Sequence, residues 1–125
     1  MTTRPPDTAE LTLSVLDGLP YEGDSDRVNR VLWLLSNQRR RHAIRVVRAH
    51  GEPITLPDVA DEVAVRECDR PLPEIDPETV SEIYISLYHD HLPRLVDAGL
   101  LSYDQERDLV MPAFEHETAV EDESA

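Results

Sequence analysis

The sequence predicts a mainly α fold with a small β-hairpin, and three observations carry that prediction. Apolar residues recur at i, i+3, i+4 and i+7 in several separate blocks of the chain. Helix-start residues precede those blocks, most clearly Asp76-Pro77-Glu78. Two short β-prone runs near the end flank the polar turn Asp104-Gln105-Glu106-Arg107.

The elements follow in order. Residues 1–9 are polar and contain Pro5 and Pro6, so positions 1–25 read as a flexible arm. Leu11, Leu13, Val15, Leu16 and Leu19 allow a short amphipathic turn there, limited by Gly18, Pro20 and Gly23. Asp26 resembles an N-cap, and Val28, Val31, Leu32 and Leu35 give a helix over about 27–35. Ser36-Asn37 interrupts it, and either residue can cap a second helix over about 38–50. That helix has the apolar stripe Ala43, Ile44 and Val47, with Arg41, Arg45 and Arg48 on the other side, and Gly51 ends it.

Thr55-Leu56-Pro57-Asp58 starts a third helix running to about residue 66 along Leu56, Val59, Ala60, Val63 and Ala64. Cys68 to Ile75, with Pro71 and Pro73, reads as a loop. Behind Asp76, the stripe Val80, Ile83, Tyr84, Leu87, Tyr88, His91, Leu92 and Leu95 runs for four turns until Gly99. Pro93 cannot donate a backbone hydrogen bond, so a kink or tightened turn is expected around 89–93. Leu100 to Tyr103 and Asp108 to Met111 are the hairpin strands. The domain therefore spans 26–112, and 113–125 is an acidic tail expected to be disordered.

With 125 residues there is room for one core. The 26 Asp and Glu outweigh 12 arginines, no lysine occurs, and the net charge is −14. On that sum alone DNA would repel the chain. The arginines are unevenly placed, however. Arg27, Arg30, Arg39, Arg40, Arg41, Arg45 and Arg48 share a stretch, 27–51, that has no acid. Such a block either pairs with acids of the same fold or a second subunit, or faces phosphate. A lysine-free acidic composition is also a habit of proteins from salt-loving archaea, where screening shortens the reach of net charge. One cysteine, no signal peptide and no apolar run of membrane-spanning length point to the cytoplasm.

Helix, helix, helix, hairpin after residue 37 is the order of a winged helix-turn-helix, here with an extra N-terminal helix. The segments Leu35-Ser36-Asn37-Gln38-Arg39-Arg40-Arg41, Ile54-Thr55-Leu56, Ile83 to Leu95 (IYISLYHDHLPRL) and Ala98-Gly99-Leu100-Leu101 resemble a haloarchaeal winged-helix domain family over about 30–112. The run Leu92 to Leu100 is also similar to the end of the third helix in many bacterial and archaeal winged-helix repressors. The resemblance implies that fold and a regulatory role, without a ligand or a target sequence. The chain departs from it in the long 67–76 loop, where a helix-turn-helix has a turn of about 3–4 residues, and in Glu78 and Glu82 on the outer face of the third helix.

The first functional expectation is a homodimeric transcriptional regulator on double-stranded DNA. Arg39, Arg40, Arg41 and, at the hairpin tip, Arg107 would hold the backbone, while Ser86, His89 and Arg94 would lie nearest the bases. Val31, Trp33 and Leu34, a second apolar face on the first helix, would form the dimer seam. The alternative is a protein–protein adaptor of the same fold that does not bind DNA, favoured if acids from 57–82 cover the arginines. Tyr84 and Tyr88 are expected in packing roles. His89 and His91 point roughly 200° apart on a helix, so they cannot share a metal ion. No glycine-rich phosphate loop, nucleophile elbow or ligand-spaced cluster is present, so neither an enzyme nor a cofactor is expected.

Overall fold

The computed structural model describes residues 7–18 and 25–113. Among these residues, six α-helices and three short strands follow in the order α1 (Asp7–Gly18), α2 (Ser25–Leu34), α3 (Gln38–His50), β1 (Ile54–Thr55), α4 (Leu56–Cys68), α5 (Pro77–Ser86), α6 (Leu92–Asp97), β2 (Leu101–Asp104) and β3 (Leu109–Pro112). A 3-10 turn occupies Leu72–Glu74, and a π turn, Leu87–His91, joins α5 to α6. The architecture is thus mainly helical, with one small antiparallel sheet.

The helix boundaries have local causes. Asn37, rather than Ser36, caps α3, its side chain accepting from the Arg40 amide at 3.1 Å. Gly51 closes the same helix in the left-handed region, φ 70°, where a Cβ would be strained. Thr55 caps α4 by accepting from the Asp58 amide, and Asp76 caps α5 by accepting from the Glu78 amide with Pro77 in the first turn. Each motif stands where the residues placed it, although α4 continues two residues further, to Cys68.

The disturbance expected around 89–93, a kink or a tightened turn, is present as a π turn over Leu87–His91 and is not a tightening. The helix widens ahead of Pro93, and the Leu92 amide donates to the Leu87 carbonyl five residues back. One added residue in that turn re-pairs carbonyls upstream of a proline that has no N–H. It also turns both His91 and Leu92 inward, together with Leu87 and Leu95.

The sheet has the order β1-β3-β2 and is antiparallel throughout. Ile54 faces Val110 across β1 and β3, and Tyr103 faces Val110 across β2 and β3. β1 has two residues, too few for any period-2 signal, and its pairing depends on a strand more than fifty residues away. At the hairpin tip the Tyr103 hydroxyl donates to Asp108 Oδ1 at 2.7 Å, and Asp108 adopts a left-handed φ of 58°.

Two expectations about the N-terminal part change. The stretch 1–25, expected as an arm, contains the twelve-residue α1, and Leu11 and Val15 of that helix lie in the core. Residues 1–6, 19–24 and the acidic tail from 114 onward lie outside the described residues. Val31 and Leu34, expected at a dimer seam, are each 1 % exposed inside this chain's own core. α1 packs on α2 and α3 and supplies part of the surface that a second subunit would have provided.

Candidate functional site

The arginine block at the start of α3 becomes the meeting point of α2, α3, α4 and the α5–α6 helix, and each arginine of the triplet points into it. Arg39 binds the Glu67 carboxylate through two nitrogens, Nε to Oε2 at 2.5 Å and Nη2 to Oε1 at 2.8 Å. Its third nitrogen, Nη1, donates to Ser86 Oγ at 2.9 Å. One guanidinium therefore ties α3 to α4 and α5. The bond to Glu67, the largest influence, raises the Arg39 pKa further above its ordinary value against the opposing effect of burial. Ser86 Oγ in turn donates to the Ile83 carbonyl, so its lone hydrogen is committed within the fold.

Arg40 is 7 % exposed, and burial pushes its guanidinium pKa down. Its Nε donates to His91 Nδ1 at 3.1 Å, and its Nη1 donates to the Leu34 carbonyl at 3.3 Å. The second of these satisfies a carbonyl at the C-terminal end of α2, where cations are favoured. Arg41 Nη1 does the same for the Leu35 carbonyl at 2.8 Å. Each arginine of the triplet expected to grip phosphate thus has partners within the fold, with Arg40 buried and Arg39 and Arg41 half-buried, because three consecutive helix positions project over a 200° arc toward different elements.

Trp33 stays on the outside, 55 % exposed. The Arg40 guanidinium lies 4.9 Å and that of Arg94 5.6 Å from the Trp33 ring centroid, within cation–π range. Arg94 also pairs with Asp90, one helical turn away, through Nε to Oδ1 at 2.6 Å. That bond, first among the influences, holds the Asp90 carboxyl below its usual range. Leu32 is exposed beside Trp33, and Arg30 is paired with Asp97. The result is an apolar patch with a border of internally paired charges.

The rest of the expected DNA face is mixed. Glu78, Glu82, Ile85 and His89 are exposed on the α5–α6 helix, so two acids and an apolar side chain share its outer face with the imidazole. His89 packs edge-on against Tyr88 with ring centroids 4.9 Å apart. Arg107 is where the turn spacing put it, at the hairpin tip, with a side chain 78 % exposed and a loose 3.8 Å pairing to Asp104. Of the expected DNA-contacting residues, the fold joins Arg39 to Ser86 and Arg40 to Arg94 through Trp33, and leaves His89 and Arg107 outside both clusters.

His91 is the residue whose partner the sequence concealed. Since Nδ1 accepts from Arg40, the proton of the neutral ring must sit on Nε2. Burial is the first cause that lowers its pKa, with Asp90 opposing and Arg40, Arg39 and Arg94 reinforcing. His42 is also lowered, again by burial first, and neither of its ring nitrogens has a hydrogen-bond partner among the described residues. Both histidines therefore bind protons less well folded than unfolded. Their stabilising contribution is complete above the unfolded value, about 6.5, and is lost as pH falls through the folded values. The urea midpoint should be level above about pH 7 and fall between about pH 6.5 and 5; a midpoint that stays level down to pH 5 contradicts this assignment.

A signal for the Arg40 position did exist. Arg40, Ala43, Ile44 and Val47 stand at i, i+3, i+4 and i+7, so Arg40 extends the buried stripe of α3 by a turn. Glu67 carried no such mark. Among the described residues no group of three or more His, Cys, Asp or Glu side chains is placed to hold a metal ion.

Residues 32–111 match the family profile described as Domain of unknown function (DUF7344). The chain belongs to the DUF7344 family. The matched DUF7344 segment begins within α2 and ends within β3, so it contains Trp33, the arginine triplet, the His91 contact and the hairpin, and leaves out α1. No curated protein and no solved structure matches the chain. Among the described residues of this DUF7344 protein, no helix is long and apolar enough to cross a membrane.

Proposed function

We propose that this chain is a winged-helix interaction module that works by binding protein, a second copy of itself first, and that its arginine block is structural. The order α3, β1, α4, α5–α6, β2, β3 and the sheet order β1-β3-β2 support the winged helix-turn-helix part of the reading. The observation that carries the functional part is Arg39, all three of whose nitrogens are taken by Glu67 and Ser86. An acid from α4 thus covers the arginine expected on phosphate, while the outer face of α5 presents Glu78 and Glu82. The binding surface in this reading is the α2 face around Leu32 and Trp33, an aromatic anchor beside paired charges, as hot spots commonly are. The reading assigns no catalytic step and places the protein in the cytoplasm.

Sedimentation equilibrium of the whole chain tests it. The wild type should populate a dimer, and Trp33→Ala should weaken self-association at least about tenfold while leaving the thermal midpoint nearly unchanged. A wild-type chain that remains a monomer at high concentration would refute self-association through this face.

Arg107 favours a second reading, a DNA-binding regulator that holds the duplex mainly through the hairpin. Duplex-binding titrations over a salt series separate the two. In the second reading Arg107→Ala reduces the salt slope by about one unit; in the first there is no specific binding to reduce.

A further inference from the structure

The long connection between α4 and α5, the clearest departure from a tight helix-turn-helix turn, has a consequence in three dimensions. Beside it, a groove of about 470 Å³ is lined by both helices and by the connection itself. Ligand pockets commonly fall between roughly 300 and 1,000 Å³. α4 contributes Pro57, Ala60 and Asp61, and α5 contributes Pro77, Val80, Ser81 and Tyr84, at i, i+3, i+4 spacings on both helices. The connection adds Leu72, which remains partly exposed, and the buried Ile75 to the lining.

The lining is apolar with one charged exception. Asp61 is half-buried in the α4 wall, and its carboxylate has no hydrogen-bond or salt-bridge partner among the described residues. Asp58 and Glu62 stand on the same helix at i−3 and i+1, so the local field is negative and no arginine answers it from across the groove. Burial first, and then these two neighbours, push the Asp61 carboxyl up. An acid in an apolar wall is destabilised until a cation reaches it. Neutral apolar molecules would fill the volume but leave the charge unanswered, and an anion would be repelled. Tyr84, in the α5 wall, offers a ring against which a cation with an apolar body can rest.

We infer that the α4–α5 groove is a binding site for small apolar organic cations, held by Asp61 and the apolar walls formed by Leu72, Ile75, Val80 and Tyr84. The site is separate from the Trp33 face and requires neither a dimer nor DNA. It also gives the long 69–76 connection a purpose that a helix-turn-helix turn would not serve.

Amide-resolved NMR titration of the full chain tests this, with tetraphenylphosphonium as the cation and triphenylphosphine oxide as its neutral counterpart. The cation should bind saturably with shifts centred on α4, the 72–75 turn and α5, and at least about tenfold tighter than the neutral compound. Asp61→Asn should remove that preference while leaving the spectrum of the free protein folded. Ser81→Trp, a substitution at an exposed position, should block both compounds by filling the groove. Equal binding of the cation by wild type and Asp61→Asn overturns the proposal, as do shifts centred on Trp33 or the absence of saturation. A change of oligomeric state in Ser81→Trp also overturns it, because the groove would then be covered by a second copy.

Discussion

Arg40→Ala should cost about 3 kcal/mol of folding free energy, with two hydrogen bonds from a charged donor to buried acceptors lost, one of those acceptors keeping a long bond from the Asn37 amide. The acceptors are His91 Nδ1 and the Leu34 carbonyl, and the truncated stem also withdraws packing from beneath Trp33. Arg39→Ala should cost less, about 1–3 kcal/mol, because the Glu67 carboxylate it leaves behind is half-buried and can be partly rehydrated. Arg107→Ala serves as the control and should change stability by less than about 0.5 kcal/mol. Urea unfolding of the three variants checks the ranking. If all three are as stable as the wild type, the arginine triplet is free in solution and the phosphate-binding assignment regains its ground. The same ranking carries a practical consequence: a triple alanine variant would test folding before it tested DNA binding, so the hairpin arginine is the cleaner probe of nucleic acid.

Val15→Asp should be the most damaging single change outside the DUF7344 match, about 4 kcal/mol, since it places an unpaired carboxylate in the core. Val15 is 1 % exposed and belongs to the same apolar cluster as Val31, Leu34 and Leu35. Leu13→Asp, on the exposed side of the same helix, should be within about 0.5 kcal/mol of wild type. The pair discriminates sharply by calorimetry. Equal, small effects would mean that α1 does not pack on α2 and α3. With Val15→Asp destabilising and Leu13→Asp silent, α1 is an integral cover for Val31 and Leu34, and the surface left for the proposed self-association is the strip around Trp33.

These two expectations meet at one physical point. α2 has apolar residues on two faces, and periodicity alone could not decide which face looks inward. Val31 and Leu34 take the interior because α1 closes over them, which frees Leu32 and Trp33 for the surface. The choice belongs to α1, whose own pattern is interrupted by Gly18 and followed by Pro20.

What the sequence determined by itself is local. Asn37, Gly51, Thr55 and Asp76 mark helix ends because caps and left-handed residues act within three or four positions of the chain. The α3 and α5 stripes, the hairpin and the place of Arg107 follow from the same short-range rules. Pro93 announced a disturbance, since a missing donor is a property of one residue, but whether the helix tightened or widened depended on seating His91 and Leu92 together in the core.

What only the tertiary structure decided is where each charge finds its partner. Arg39 reaches Glu67 across 28 positions and Ser86 across 47, and Arg40 reaches His91 across 51. A run of arginines read along the chain is a basic block; folded, it is a set of struts at the junction of four elements. Electrostatic partnership depends on distance in space and on the water excluded there, and neither quantity is written in the spacing of residues.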